Sequence, residues 1–192
     1  MFERDVAIIG GCGHVGLPLG IAFADRGQSV VLYDTNARAV ETVNGGRMPF
    51  FEEGADELLP RVLATGKLTA TTDGRAVSTA EAVVVVIGTP VDRFLNPEIG
   101  AVLHAVEAEA GNLVDGQLLV LRSTVYPGVT AMVAKRMAEL GKAVDVVFCP
   151  ERIAEGYALR ELSSLPQIVS GRDPRGLERV RSEERRVGKE CS

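Results

Sequence analysis

Two segments near the start of the chain carry the residue types that bind a dinucleotide. The first has the G-x-G-x-x-G spacing, in the run Gly11-Cys12-Gly13-His14-Val15-Gly16. In such a segment the first glycine permits a tight turn, the second lets a pyrophosphate approach the backbone, and the third lets a helix pack closely on a strand. Asp34 follows Gly16 by 18 residues, where its carboxylate can accept hydrogen bonds from the adenosine ribose. A purely structural glycine turn is the alternative, and Asp34 favours dinucleotide binding over it.

Asp34 also indicates which dinucleotide is bound. A 2′-phosphate beside an unpaired carboxylate would be repelled, so NAD is favoured over NADP. Arg38 lies one helical turn later and could partly neutralise that carboxylate. We expect Arg38 instead to be a solvated helix residue that touches the adenosine.

Three further polar signatures follow apolar runs, namely Gly88-Thr89-Pro90, Ser123-Thr124 and Pro150-Glu151-Arg152. The hydroxyl residues could simply cap loops, which is the commoner role of Ser and Thr. The run from Pro150 to Gly156 adds a second carboxylate, Glu155. The alternative to a functional role for these charged residues is a surface ion pair. We expect all three signatures to face the cofactor or the reacting water, because each lies at a strand end.

The other reactive residue types in these segments have structural interpretations. His14 lies in the glycine segment, where a histidine more often contributes its backbone than acts as an acid or base. Cys12 and Cys149 have no histidine neighbour that would activate a thiol. The three cysteines share no metal-type spacing, so disulfides and zinc are not expected, and no metal site is predicted.

The elements that must position these residues alternate between strands and helices. Short apolar runs predict strands at residues 6–10, 29–33, 68–72, 82–87, 118–121, 144–148 and 167–169. Helical spacing predicts helices at residues 16–26, 36–44, 54–65, 97–110 and 127–140, with a helical turn at 156–162. This alternation implies crossover units, and therefore an α/β fold with a doubly wound parallel sheet of the Rossmann type. Ligands of such sheets bind outside the carboxyl ends of the strands, where every signature lies.

Composition limits the classes of function. The chain has 192 residues, a formal net charge of -5 and 46% hydrophobic residues. This charge argues against general nucleic-acid binding, which needs a basic surface. No run reaches the roughly 18 apolar residues of a membrane span, and the charged start argues against a signal peptide. We therefore expect a cytoplasmic protein without nucleic-acid or membrane partners.

The last twelve residues differ from the rest of the chain. Residues 181–191 are highly charged, and their plain interpretation is a charged helix or a frayed end. One DNA sequence that encodes them resembles a common short-read sequencing adapter. We therefore predict one NAD-binding domain at residues 1–180 and a non-native tail at residues 181–192, which should be excluded from reasoning about the fold.

Together the motifs resemble the NAD-dependent nucleotide-sugar 6-dehydrogenases, the UDP-glucose/GDP-mannose dehydrogenase family. The resemblance extends to about Gly171 and rests on the glycine segment, Tyr33-Asp34, Gly88-Thr89-Pro90, residues 122–128, Cys149-Pro150-Glu151-Arg152 and Pro166-Gln167-Ile168-Val169. The form Pro-Glu-Arg is similar to the branch that acts on UDP-N-acetylmannosamine and related UDP-N-acetylhexosamines. UDP-glucose and GDP-mannose dehydrogenases usually carry Phe where Arg152 stands.

Motifs and resemblance together imply roles for individual residues. The expected NAD contacts are Gly11, Gly13, His14, Val15, Gly16, Asp34, Arg38, Thr89, Pro90, Ser123, Thr124 and Glu155. The resemblance implies that Glu151 is the acid/base residue, and that Thr124 helps to position water. It places Glu151, Arg152 and Ile153 near the sugar nucleotide. Family members oxidise the C6 alcohol of a UDP-sugar to a carboxylate in two NAD-dependent steps, through a thioester on a cysteine.

In the family, that cysteine, its lysine partner and a second domain lie beyond the position where this chain stops. The resemblance therefore implies a cofactor-binding part that completes no reaction alone, with Glu151 exposed where a second domain would cover it. It also implies a homodimer for the full-length enzyme, formed through a later helix.

Two other functions stay open. Another two-domain NAD-dependent dehydrogenase, of the hydroxyacyl or phosphogluconate type, would lack a downstream Gly-rich cysteine motif. A stand-alone NAD-binding module without catalysis would need a native stop near residue 180 and a polar surface where a second domain normally docks.

Overall fold

A seven-stranded sheet lies at the centre of the computed structural model, which describes residues 2–88 and 100–186, with side chains described as far as residue 182. The strands are β1 (Arg4–Ile9), β2 (Val30–Tyr33), β3 (Leu68–Thr71), β4 (Ala80–Val85), β5 (Leu118–Leu121), β6 (Asp145–Phe148) and β7 (Ser170–Gly171). Their order is β3-β2-β1-β4-β5-β6-β7, and only β7 among them pairs antiparallel. The predicted doubly wound α/β fold is confirmed, because strands 3-2-1-4-5-6 have the Rossmann order.

Helices cover both faces of the sheet. One face carries α1 (Gly16–Asp25), α2 (Ala37–Asn44), α3 (Ala55–Ala64), α6 (Ala158–Ser164) and α7 (Pro174–Arg186). The other face carries α4 (Ala101–Ala108) and α5 (Val129–Glu139). None of the helices in the described ranges combines the length and apolar character that a bilayer crossing requires.

The valine-rich strand β4 lies in the middle of the sheet, between β1 and β5. Val83 and Val85 pack against α4 and α5, whereas Val84 packs into the opposite layer. All three are at most 3% exposed. Burial on both faces explains why this run is continuously apolar instead of alternating with polar residues.

The strand order changes direction at β1, because β2 and β3 extend to one side of it and β4 begins the other side. The helices that follow β1 and β4 therefore lie on opposite faces of the sheet. In open α/β sheets the crevice at such a reversal point, outside the carboxyl ends of the strands, is where ligands bind. We call this part of the carboxyl edge the groove, and the sequence signatures were expected to meet there.

Several element boundaries differ from those predicted. The helix predicted from Pro127 begins at Val129, because Gly128 has a φ of 97° and cannot continue it. The start of the helix predicted at 97–110 lies outside the described residues, and α4 covers Ala101–Ala108. The last strand, predicted at residues 167–169, is Ser170–Gly171, and Gln167 forms an isolated β-bridge before it.

Helix α7 crosses the predicted domain end after Val180, which is fully buried in the core. Arg179 anchors the same turn, with its Nη1 2.7 Å from Asp145 Oδ2. Residue 180 therefore belongs to the packed domain. The non-native origin proposed for residues 181–192 stays a prediction.

Candidate dinucleotide-binding site

The strand ends that carry the signatures stand in one row. Ile9 pairs with Tyr33 on one side and Val85 on the other, Val85 pairs with Leu121, and Leu121 with Phe148. The residues that follow these strands therefore leave the same edge of the sheet. Thr89 and Pro90, the signature expected after β4, lie outside the described residues.

The glycine segment makes a tight turn between β1 and α1. Gly10 has a φ of 77°, and a Cβ there would lie 2.0 Å from the carbonyl oxygen of Val86. This corrects the sequence interpretation, which assigned the tight turn to Gly11. Gly11 is needed for another reason, because a Cβ there would lie 2.7 Å from Leu32 Cβ.

Two other glycines have the surroundings that the fingerprint predicts. A Cβ on Gly16 would lie 2.5 Å from the carbonyl oxygen of Gly10, so the close packing of α1 on the turn depends on this glycine. A Cβ on Gly13 would meet only that same oxygen, at an ordinary 3.5 Å. The space beside Gly13 is therefore open, as a phosphate-binding backbone requires.

The N-terminus of α1 suits an anion. Val15 precedes the helix without a side-chain cap, and the first turn contains no acidic residue. Backbone N–H groups at such an end, together with the helix dipole, favour a phosphate. With the open face of Gly13, this end fits the pyrophosphate of a dinucleotide.

Asp34 joins the second strand to the glycine segment. Its Oδ2 accepts from the backbone N–H of Cys12 at 3.0 Å, and its Oδ1 accepts from Asn36 N–H at 2.9 Å. The carboxylate is thereby fixed at the end of β2, and each oxygen keeps accepting capacity for a ribose hydroxyl. Arg38 is exposed in the first turn of α2.

The thiol of Cys12 beside this carboxylate is not reactive. Burial, with the charge of Asp34 as second cause, raises the pKa of Cys12 to about 12. Cys12 is therefore a neutral thiol near pH 7, in agreement with its interpretation as a small structural residue.

The α2–α3 loop, residues 45–54, contributes residues that the sequence interpretation missed. The ring of Phe50 stacks on the exposed His14 with centroids 4.0 Å apart. Glu53 N–H donates to the carbonyl oxygen of Gly156 at 3.0 Å, and the buried Glu52 accepts from Leu159 N–H at 3.0 Å. One loop thus contacts both the glycine segment and the region after β6. In the sequence, this loop could have been noticed by its two adjacent aromatic residues followed by two acids, Phe50-Phe51-Glu52-Glu53.

Ser123 and Thr124 have different surroundings at the end of β5. The Ser123 hydroxyl donates to Ile87 O at 2.8 Å and accepts from Ile87 N–H at 2.9 Å, so it joins the ends of β4 and β5. Only 6% of Ser123 is exposed, whereas Thr124 is exposed at the edge. Contacts of either residue with NAD stay predictions, and the Ser123 hydroxyl is already engaged.

The end of β6 holds Glu151 in an environment that the sequence interpretation did not foresee. The Glu151 side chain is only 9% exposed and forms an ion pair with Arg122, whose side chain is fully buried. This corrects the expectation that Glu151 would be exposed in this chain. Arg122 belongs to the motif at residues 122–128, but it was given no role of its own, because nothing in the sequence pairs it with Glu151.

The residues after Glu151 point in different directions. Arg152 is exposed, and its guanidinium donates to the carbonyl oxygen of Pro166. Ile153 packs partly against the core, and Glu155 is exposed. The substrate contacts of Arg152 and Ile153, and the cofactor contact of Glu155, stay predictions.

The family model described as the UDP-glucose/GDP-mannose dehydrogenase family, NAD binding domain, matches residues 4–183. The chain belongs to this family. Both the predicted family and the predicted cofactor are confirmed, since the matched unit is the NAD-binding domain of the UDP-glucose/GDP-mannose dehydrogenases.

Curated relatives agree with this membership of the UDP-glucose/GDP-mannose dehydrogenase family. The UDP-N-acetyl-D-mannosamine dehydrogenase of Yersinia pestis is 32% identical over 187 residues, which cover 91% of this chain and 44% of the relative. The UDP-glucose 6-dehydrogenase of Rhizobium meliloti is 34% identical over 167 residues, covering 85% of this chain and 38% of the relative. The chain thus spans less than half the length of these relatives.

A solved structure agrees as well. The UDP-D-ManNAc dehydrogenase of Pyrococcus horikoshii superimposes with a TM-score of 0.90 and 26% identity, covering 97% of this chain and 46% of that one. The 3-hydroxyisobutyrate dehydrogenase of Mycobacterium tuberculosis, at 15% identity and a TM-score of 0.66, shares the fold alone.

Proposed function

We propose that this chain supplies the NAD-binding part of a nucleotide-sugar 6-dehydrogenase. The proposed reaction oxidises the C6 alcohol of a UDP-sugar to the uronate in two NAD-dependent steps. We propose UDP-N-acetylmannosamine or UDP-N-acetylglucosamine as the substrate, and polysaccharide precursor synthesis in the cytoplasm as the role. The observation that carries the proposal is the Glu151 carboxylate held at the carboxyl edge of an NAD-binding sheet.

We propose a single orientation for NAD along the groove. Four strand spacings of about 4.8 Å separate β2 from β6, so their ends lie roughly 19 Å apart. Asp34 at the β2 end suits the adenosine ribose, which directs the nicotinamide toward Thr124 and Glu151 at the other end. When bound there, NAD accepts the two electrons of each oxidation step.

The residues of this chain then orient the substrate and handle its proton. A carboxylate that accepts the hydroxyl proton must lie within hydrogen-bond reach of that hydroxyl. We propose that Glu151 is this group and that Thr124, exposed at the same edge of the sheet, positions a water. We propose that Arg152 and Ile153 contact the sugar nucleotide, in keeping with the Pro-Glu-Arg form at residues 150–152.

The remaining parts of the reaction belong to the region that the relatives have beyond the matched half. We propose that the thioester cysteine, its lysine partner and the dimer-forming helix belong to that region. On this proposal, the chain alone binds NAD and oxidises no UDP-sugar, and the full-length enzyme is a homodimer.

A calorimetric titration with NAD and an absorbance assay for NADH test this proposal. We expect NAD binding by the chain alone and no NADH formed with UDP-N-acetylmannosamine, UDP-N-acetylglucosamine or UDP-glucose. Joining the chain to the unmatched carboxyl-terminal part of the Yersinia pestis relative should restore NADH formation with a UDP-N-acetylhexosamine. The same joined protein with Glu151→Gln is the matched control and should lose that activity.

Two results would contradict the proposal. NADH formation by the chain alone would show that the second half is dispensable. A soluble joined protein that binds NAD and oxidises none of the three sugars would favour a non-catalytic NAD-binding module.

A further inference from the structure

A buried polar cluster lies behind the groove, where β5 and β6 end. Arg122 is 1% exposed, Gln167 is 3% exposed and Cys149 is fully buried. A guanidinium that is removed from water this completely is costly unless it is paired and hydrogen-bonded. The burial of Arg122 must therefore be compensated by its ion pair and hydrogen bonds inside the protein.

The contacts of Arg122 converge on Glu151. Its Nη2 forms the ion pair with Glu151 Oε2 and lies 3.3 Å from Gln167 Oε1, while its Nη1 lies 3.5 Å from Cys149 Sγ. The main chains are joined as well, since Glu151 N–H donates to Arg122 O at 3.2 Å. Both the backbone and the carboxylate of Glu151 are thus held by Arg122, the residue that directly follows β5.

Gln167 completes the arrangement from the segment before β7. Its Nε2 donates to the carbonyl oxygen of Pro150 at 2.8 Å, while its Oε1 faces the Arg122 guanidinium. The other Glu151 oxygen, Oε1, accepts from the backbone N–H of Arg152 at 2.9 Å. The carboxylate is therefore fixed in position from both sides before any substrate arrives.

We propose that Arg122 is a positioning residue for Glu151, whose carboxylate it holds ionised at the carboxyl edge of the sheet. Gln167 supports this arrangement by contacting both the Arg122 guanidinium and the carbonyl oxygen of Pro150. The proposal rests on the proposed function in one respect, the role of Glu151 as the acid/base residue.

A consequence for the proton follows from the charges that face Glu151. Among the contacts described, the Arg122 guanidinium, directly after β5, pairs with the Glu151 carboxylate. The Cys149 thiol lies against that guanidinium, and the Arg152 guanidinium is turned to Pro166. A cation in contact with a carboxylate favours its ionised form. Glu151 therefore begins each step as a proton acceptor, and a proton on it would leave Arg122 buried beside a neutral acid.

The protonation of Glu151 can be followed in this chain without any substrate. Carbon-13 labelling of the glutamate side-chain carboxyls gives one NMR titration curve per glutamate, and Glu151→Gln identifies the curve that belongs to Glu151. We expect Arg122→Met to raise the protonation midpoint of Glu151 by about 1 to 3 pH units. Arg122→Lys keeps the charge without the fork geometry and should give an intermediate midpoint.

Arg75→Met is the matched control, because the Arg75 side chain is 87% exposed and pairs with Asp73 instead. That variant should leave the Glu151 midpoint unchanged. Circular dichroism establishes whether each variant folds, and if Arg122→Met does not, Arg122→Lys alone decides the outcome. A Glu151 midpoint that is the same in the wild type and in the folded Arg122 variants would overturn the proposal. Failure of the dehydrogenase proposal would instead show in the NADH assay and leave this titration unaffected.

Discussion

Gly16 tolerates a side chain least among the fingerprint glycines that lie beside α1. The 2.5 Å between a Cβ and the Gly10 oxygen means that Gly16→Ala must push α1 away from the turn. We expect this variant to lose about 1–3 kcal/mol of unfolding free energy, the usual cost of overpacking, and to bind NAD more weakly. Urea unfolding and calorimetry measure the two effects.

Gly13→Ala is the matched comparison for this substitution. A Cβ there meets only an ordinary contact at 3.5 Å, so the fold should keep its stability while the methyl group obstructs the pyrophosphate. An equal loss of stability in both variants would show that the two glycines do not have separate roles.

We propose that Asp34 controls the choice between NAD and NADP. We expect Asp34→Asn to weaken NAD binding about tenfold or more, because it removes the charge from a hydrogen-bonded carboxylate, and to raise the ratio of NADP to NAD affinity. Calorimetric titration with both dinucleotides measures the change. Asp73→Asn is the control, since Asp73 follows β3 and pairs with Arg75. A variant that discriminates against NADP as strongly as the wild type would refute this role of Asp34.

Cys12 makes stability depend on pH in the alkaline range. The pKa of its thiol is raised from an ordinary 9.0 to about 12 in the folded chain, so the folded state holds this proton more tightly than the unfolded state. The resulting stabilisation is complete below pH 9 and is lost as pH rises from 9 toward 12. We expect the unfolding free energy of the wild type to fall more steeply between pH 9 and 11 than that of Cys12→Ala.

Tyr33, whose pKa is also raised by burial and by its hydrogen bond to Glu109, is present in both proteins, so the difference isolates the thiol. Urea unfolding at several pH values measures it. Parallel stability profiles would show that the Cys12 proton is not linked to folding.

At the scale of elements, the α2–α3 loop connects the two sides of the groove. The buried Glu52 carboxylate accepts from Leu159 N–H in the first turn of α6, in the role of a helix cap. We expect Glu52→Ala to cost about 1 kcal/mol of unfolding free energy and to speed hydrogen exchange at the Leu159 amide.

Glu53→Ala is the control for that loop. The neighbouring Glu53 side chain is 55% exposed, and its ion pair with Arg160 spans 3.8 Å, which contributes little in water. A Glu53 variant as unstable as the Glu52 variant would mean that the loop depends on charge and not on the cap.

The parts of the fold that the sequence predicts are those that depend on local periodicity. Apolar runs and helix-stopping glycines place the strands of the parallel sheet and most helices within a few residues, because burial on two faces and backbone geometry act locally. The direction of Asp34 toward the glycine segment follows from the same strand order. These features needed no knowledge of distant contacts.

The features that could not be predicted depend on side chains far apart in sequence. Arg122 meets Gln167 across 45 residues, and Glu52 meets Leu159 across 107. The spacing of apolar residues does not reveal such pairs, because each pair forms only when the helices and the sheet have packed together. Gln167 shows the consequence, since its apolar neighbours predicted a strand while its own amide is held by Pro150 and Arg122.

At the scale of the molecule, the residues proposed to bind NAD and those proposed to transfer the proton lie on different halves of the sheet. The β1–β3 half holds the glycine segment and Asp34, whereas the β4–β6 half holds Thr124, Arg122 and Glu151. The α2–α3 loop contacts both halves, at His14 and at Gly156. The residues proposed for cofactor binding and for proton transfer are therefore separate in the chain but lie at the same edge of the sheet.

The packed domain extends at least to Val180 in α7. Val180 is fully buried, and Arg179 lies 2.7 Å from Asp145, whereas Arg181 is exposed. We expect a chain of residues 1–180 to lose less than about 1 kcal/mol of unfolding free energy, because Arg181, the first residue removed, is exposed and an exposed helix end contributes little to stability.

The same chain of residues 1–180 should bind NAD as tightly as the longer one. Val180→Ala in the 192-residue chain is the matched variant, and the cavity it leaves should cost about 1–3 kcal/mol. Thermal unfolding and calorimetry compare the three proteins. If the shortened chain is less stable than the Val180 variant, residues after 180 pack on the domain, and the hypothesis that they are foreign to it is wrong.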